Sequence, residues 1–317
     1  MAALAMAVFA SCSNEDELSQ SNYPADNVVR IMASMDGMDT RASYGSSTAK
    51  LSSFGFCINN ANSTTYTYDN VKVTKDGDNN WNPASQMLWQ NSTAAVDILA
   101  YAPYQEGNAG IFEKSDYAFS VQADQSNVED YSSDLIVYKQ TGFKPELDLN
   151  INQAVDVSFT HLLSQLNLTI ELRDQFNQDE KNPVTAGFVT DVKVNGTIIN
   201  SKVDFAAASI GVQVDGTQEA TAITPETTEF KAAGKTTDHA AFNYSAIVIP
   251  QKVTAGNFSI SFKVNGTDYI WTSTSDVKFV SGNKHQLSLL VGKDVVQVNG
   301  ITATPWGKEN IIQGETD

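Results

Sequence analysis

Cysteine, arginine, histidine and basic charge are all scarce in this 317-residue chain, and each scarcity closes off a class of function. Only two cysteines are present, Cys12 and Cys57, too few for a disulfide framework or a thiolate metal centre. The three histidines, His161, His239 and His285, stand far apart without a ligand neighbour at turn or helix spacing, so no metal is expected. The formal charge of −17 argues against nucleic acid or anionic lipid as a partner, because both attract basic surface. No glycine-rich phosphate loop, nucleophile elbow or triad order is found; no catalytic residue and no cofactor is assigned, and an enzyme is not expected. Asp76, Asp78 and Asn80 imitate the start of a calcium loop, but position twelve is Met87 where a bidentate glutamate is needed, so a hairpin tip is the better account. No segment approaches the ~18 apolar residues of a spanning helix.

What is present begins at the N-terminus. The apolar run Ala2 to Ala10 leads into Ala10-Ser11-Cys12, small residues directly before a cysteine, and then into Glu15-Asp16-Glu17. This is the pattern of a bacterial lipoprotein processing site, with Cys12 as the lipidated residue. Acyl chains on Cys12 would anchor the chain to a membrane at ~0.8 kcal/mol per buried CH₂. No Lys or Arg precedes the run, so Met1 is expected to be an internal start with the basic part of the signal upstream. Cys57, within Phe54-Gly55-Phe56-Cys57-Ile58, is then alone and expected to sit buried in a strand as a small hydrophobe.

The remainder is dominated by short β signals. Val28 to Met32, Thr65 to Tyr68, Ala118 to Val121, Val155 to Phe159 and Phe258 to Phe262 show period-two or β-rich patterning, separated by Gly, Asn and Asp clusters. Asn195-Gly196 and Asn265-Gly266, each flanked by alternating residues, predict two hairpins with type I′ turns. Lys75 to Asn80 predicts a looser turn, and His161 to Leu166 a short turn between strands, with a strand from about Ser164 onward. Long amphipathic helices are absent from the pattern. The expected organisation is a lipoprotein signal and acidic tether over 1–25, an N-terminal β-domain over 26–150 and a C-terminal β-domain over 151–317. A polar stretch, Met35 to Ser47, is expected to be a flexible link after the first strand.

Five segments, in order, carry a family resemblance. They are Tyr101-Ala102-Pro103-Tyr104, Val157 to Leu166, Ile247-Val248-Ile249-Pro250-Gln251, Gly282-Asn283-Lys284-His285-Gln286-Leu287 and Ile301-Thr302-Ala303-Thr304-Pro305-Trp306. Together they resemble the fimbrillin family of Bacteroidales type V pili, and the acidic residues after Cys12 loosely resemble the surface-export signal of Bacteroidetes lipoproteins. The resemblance implies an all-β fold of two tandem transthyretin-like Greek-key β-sandwich domains. It implies a pilin carried to the outer membrane by its lipid, where an arginine-specific protease removes the N-terminus with the first strand. Another pilin subunit's terminal segment then fills the vacated groove by strand complementation.

Arginine scarcity gives that implication a definite target. Of Arg30, Arg41 and Arg173, the first and last fall within or beside predicted strands, whereas Arg41 lies in the link among small and polar residues that favour nicking. Cleavage is expected between Arg41 and Ala42. The donor is expected within 294–313, where alternation around Gly300 makes Val296, Val298 and Ile301 the groove-filling candidates; the competing reading makes them the last strand of the second domain, with Pro305-Trp306 as its plug. The leading expectation is a structural pilin supporting adhesion. Alternatives are a tip or accessory adhesin recognising a host or bacterial surface ligand, and a non-fimbrial glycan-binding lipoprotein using exposed rings such as Trp81, Trp89 and Tyr104.

Overall fold

The computed structural model describes residues 22–35, 48–177, 183–235, 238–293 and 295–306. Cys12, Arg41 and Ala42 lie outside these described residues. The chain is all-β, with one four-residue helix, Pro145–Asp148, among the described residues. In the first half the strands are β1 Arg30–Met35, β2 Ser53–Asn59, β3 Tyr68–Lys75, β4 Trp81–Pro83, β5 Val96–Ala102, β6 Tyr117–Ser120, β7 Ile136–Phe143 and β8 Ala154–His161. In the second they are β9 Ser164–Leu172, β10 Val189–Asn195, β11 Asn200–Asp204, β12 Gly211–Val214, β13 Glu226–Lys231, β14 Ala240–Val248, β15 Lys252–Val253, β16 Ser259–Val264, β17 Thr267–Thr272, β18 Val277–Lys278, β19 Asn283–Val291 and β20 Val296–Pro305.

The N-terminal unit is one seven-stranded sheet in the order β1-β8-β7-β5-β2-β3-β4. Its ends turn toward each other, with an isolated bridge between Val28 and Leu88 beside β1. Phe54, Phe56, Ile98, Val155, Val157 and Phe159 fill the enclosed core, as period-two alternation of apolar side chains requires. The other face carries Cys57, Leu99, Tyr101 and Val137 into the core of the C-terminal unit. Cys57 is buried as expected; burial pushes its thiol up to about 12, which keeps it inert.

In the C-terminal unit a five-stranded sheet, β13-β14-β9-β19-β20, and a three-stranded sheet, β10-β16-β17, enclose Leu168, Ile170, Phe242, Ile260, Phe262 and Leu289. The units are tied by more than packing. β6 joins β11 in a shared small sheet, the Gln125 amide both accepts from Ile247 N–H (2.7 Å) and donates to its carbonyl (2.9 Å), and Lys139 Nζ donates to the carbonyls of Phe205 (2.6 Å) and Ala207 (2.8 Å).

Three expectations need correction. The boundary placed near Asn150 falls instead after His161, because the strand beginning at Ala154 pairs with β1 and closes the first sheet. Alternation marks a strand but not the sheet it joins, and here the partner lies over 100 residues upstream. Thr64–Tyr66 forms a 3-10 turn ahead of β3 rather than part of a strand. Finally, only one Asn-Gly pair makes a hairpin. Asn265 (φ 48°) and Gly266 (φ 82°) both take the positive φ of a type I′ turn between β16 and β17. At Asn195-Gly196 only the glycine has positive φ (91°), and the chain crosses between sheets: β10 pairs with β16, while β11 pairs with β12 and β6.

That contrast has a measurable consequence. A Cβ at Gly266 would meet nothing within 4 Å, so Gly266→Ala should cost about 1–2 kcal/mol for the left-handed φ alone. A Cβ at Gly196 would lie 1.9 Å from the Asn257 carbonyl oxygen, adding a backbone clash of about 1–3 kcal/mol to the same φ cost. Urea unfolding should rank Gly196→Ala well below Gly266→Ala; equal midpoints would contradict the crossing turn.

Candidate functional site

Two strands bear the implied assembly chemistry, β1 as the removable strand and β20 as the donor candidate. β1 runs parallel to β8 in unbroken register, Arg30 opposite Ala154 through Met35 opposite Phe159. Val29 and Ile31 are buried, and Ala33 and Met35 pack partly against the same core, so one face of the segment fills the domain at every second residue. On its other side, Val29 N–H donates to Met87 O (3.0 Å) and Trp89 N–H to Asn27 O (2.8 Å). Beyond that bridge a cleft of about 690 Å³ separates β1 from β4, lined by Ile31, Ala33, Trp81, Pro83 and Met87.

The dependence runs in both directions. Over Ala154 to Phe159, β8 has no ladder partner except β1 among the described residues; β7 pairs only with Thr160 and His161. Full burial of Val29 and Ile31 stabilises by ~1.5–3 kcal/mol each, a large share of the ~5–15 kcal/mol net stability typical of a domain. Loss of β1 therefore leaves an apolar groove and an unpaired β8 edge together.

β20 is the edge of the C-terminal sheet, antiparallel to β19. The register shifts at Asn299, so that Val296, Val298 and Ile301 face Val291, Leu289 and Leu287, all buried. This bulge keeps the three donor candidates on one face, although 298 and 301 differ in parity. Val298 and Ile301 nevertheless remain 46% and 45% exposed, and Ile301 overhangs a cleft of about 350 Å³ lined by Leu166, Phe258, Phe279 and Leu287. The strand is secured at its ends. Arg173 donates to the Gln297 side chain, while Trp306 is buried, stacks on His161 at 3.8 Å and 6°, and donates its backbone N–H to Gly282 O (2.7 Å). The strand thus occupies the place foreseen by the alternative of a last strand plugged by Trp306.

The other arginines are engaged in structure. Arg30 opens β1 and pairs with Asp26 at 2.6 Å, and Arg173 donates its backbone N–H to Val291 O. The aromatic residues considered for glycan stacking do not form an exposed row. Trp89 is buried against Phe143 (5.6 Å, 11°), Trp81 tilts onto Phe54 (5.0 Å), and Lys72 lies over Tyr104 (5.3 Å).

A model of fimbrillin-like proteins matches residues 40–306. The chain belongs to the fimbrillin-like family. This fimbrillin-like chain is a fimbrial subunit, located at the cell surface and assembling with other fimbrial subunits. Its fold is similar to that of a candidate cell-adhesion protein of Bacteroides ovatus (13% identity, TM-score 0.61) and of another of Bacteroides uniformis (19%, 0.57); each match covers 89% of this chain and 99% of the other. A fimbrial protein of Bacteroides vulgatus is similar at 15% identity and TM-score 0.53, over 88% and 99% of the two chains. No curated protein sequence matches significantly.

His285, which lacks any ligand neighbour in the sequence, faces Ala303 of β20 and lines the cleft beneath it. Burial holds its imidazole below the ordinary value, and Nε2 accepts the Val280 N–H at 3.1 Å, which needs an unprotonated nitrogen. The sign follows: His285 supports the fold fully above the unfolded value of about 6.5, and that support is lost as pH falls through the lower folded value. Urea midpoints of the fimbrillin-like chain should therefore drop between about pH 7.5 and 5.5, and His285→Gln should flatten that slope. An unchanged slope in His285→Gln would contradict the assignment.

Proposed function

We propose that this fimbrial subunit is a polymerising pilin with a structural rather than enzymatic role. It is exported as an outer-membrane lipoprotein acylated at Cys12 and is processed between Arg41 and Ala42. That cut releases β1, and the groove is filled by the β20 segment of another subunit, with Val296, Val298 and Ile301 as the inserted side chains. The observation that carries the reading is β1 itself: its side chains fill the core at alternate positions beside an open cleft, and it is the ladder partner of β8 from Ala154 to Phe159.

Three further points support it. Arg41 follows β1 in sequence and precedes β2, whereas Arg30 and Arg173 are held in backbone ladders and ion pairs or side-chain hydrogen bonds. The half-exposed Val298 and Ile301 gain burial on entering a closed groove, roughly half of the ~1.5–3 kcal/mol available per side chain. The expected sequence of events also keeps the β8 edge covered until export, which guards against edge-to-edge aggregation.

Treatment of the lipidated precursor with an arginine-specific protease should yield Ala42 as the new N-terminus and a ladder of multimers on an unboiled gel. Arg41→Ala should remain full-length and monomeric. A ladder without proteolysis, or cutting at Arg30 or Arg173 in its place, would contradict the proposal. Cleavage at Arg41 without a ladder would replace the polymerising role by a tip or accessory one.

A further inference from the structure

β8 links the two assembly strands through one residue. Its first six residues are laddered to β1, and its last residue, His161, carries the Trp306 ring at 3.8 Å in nearly parallel stacking. Both rings are buried, and the His161–Asp134 pair, with Nδ1 2.9 Å from Oδ1, has no exposed side-chain surface. Asp134 lies just ahead of β7, the strand that alone pairs with the final two residues of β8. Trp306 Nε1 has no hydrogen-bond partner among the described residues, so face-to-face stacking and the backbone bond to Gly282 hold the ring. Meanwhile the middle of β20 packs poorly, with Val298 and Ile301 half exposed over their cleft. A strand loose in its centre and clamped at its ends is released by its clamps.

We propose that the His161–Trp306 stack makes retention of β20 depend on the presence of β1. With β1 in place, β8 is laddered along its length and offers His161 as a rigid platform for Trp306. Without β1, β8 is laddered only at Thr160 and His161, the platform moves, and the C-terminal clamp opens. The donor strand then becomes available in the subunit whose groove has just been vacated, which suppresses premature polymerisation by unprocessed chains. This inference rests on the reading of β1 as the removed strand and β20 as the donor, but the coupling itself exists in the intact chain and is tested there.

The test is amide hydrogen exchange on the full chain, without protease. Ile31→Ala weakens β1 docking; Ile31→Val is the milder substitution should that chain fail to fold. Either should accelerate exchange of the β20 amides, about tenfold for Ile31→Ala, within the range of ordinary intramolecular coupling, while β14 amides stay unchanged. Trp306→Ala should accelerate β20 to a similar extent and leave nothing further for Ile31→Ala to add. Trp306→Phe, which keeps a flat ring over His161, should preserve protection. Acceleration confined to β1 and β8, or equal acceleration in β14, would overturn the coupling. A missing multimer ladder after proteolysis would instead sink the assembly reading and leave this exchange result standing.

Discussion

The parallel ladder between Arg30–Met35 and Ala154–Phe159 is the interaction on which the rest of this molecule depends. It joins Arg30–Met35 to a strand more than 100 residues later, and it is the sole ladder of β8 over that span among the described residues. The same strand puts Val29 and Ile31 into a core built by Phe54, Phe56, Val157 and Phe159. Backbone pairing and apolar burial therefore stand or fall together. Under the proposed processing, β1 is the strand whose place a segment of another subunit takes.

The two units use one device with opposite consequences. Each places its opening strand parallel to a long strand near its end, β1 with β8 and β9 with β19. β9 cannot leave, since β14 pairs along its whole length on the other side and the chain continues through both of its ends. Among the described residues, β1 has only the Val28–Leu88 bridge and neighbouring backbone bonds across from β8, then a cleft. Under the proposed assembly, the unit that loses its first strand is the acceptor, and the unit whose sheet carries an additional, half-packed edge strand is the donor. One subunit would then provide both halves of the same joint.

Much of this was legible in the residues. Alternation marked β1, β6, β8 and β16 to within one to three residues at each end, because a half-buried strand must alternate apolar and polar side chains. Asn265-Gly266 gave a hairpin because neighbouring alternation and turn geometry agreed. Asn195-Gly196 has the same dipeptide, but the later backbone at Asn257 crowds it and pulls β10 and β11 into different sheets; no local rule carries that information. The domain boundary failed for a related reason, since a parallel partner leaves no sequence signal at short range. The exposed centre of β20, its bulge at Asn299 and the stacking of Trp306 on His161 are likewise tertiary facts. His161 and Trp306 were visible only as members of two separate motifs, at opposite ends of the C-terminal half.

The most direct measurement on the central claim is thermal unfolding of the processed and unprocessed chains with a synthetic peptide of the sequence Val295 to Trp306, against a scrambled control. The peptide should raise the Tm of the chain lacking residues up to Arg41 and leave that of the chain retaining β1 unchanged. Equal stabilisation of both chains, or none of the processed chain, would contradict the view that β1 holds a place built for a neighbour's strand.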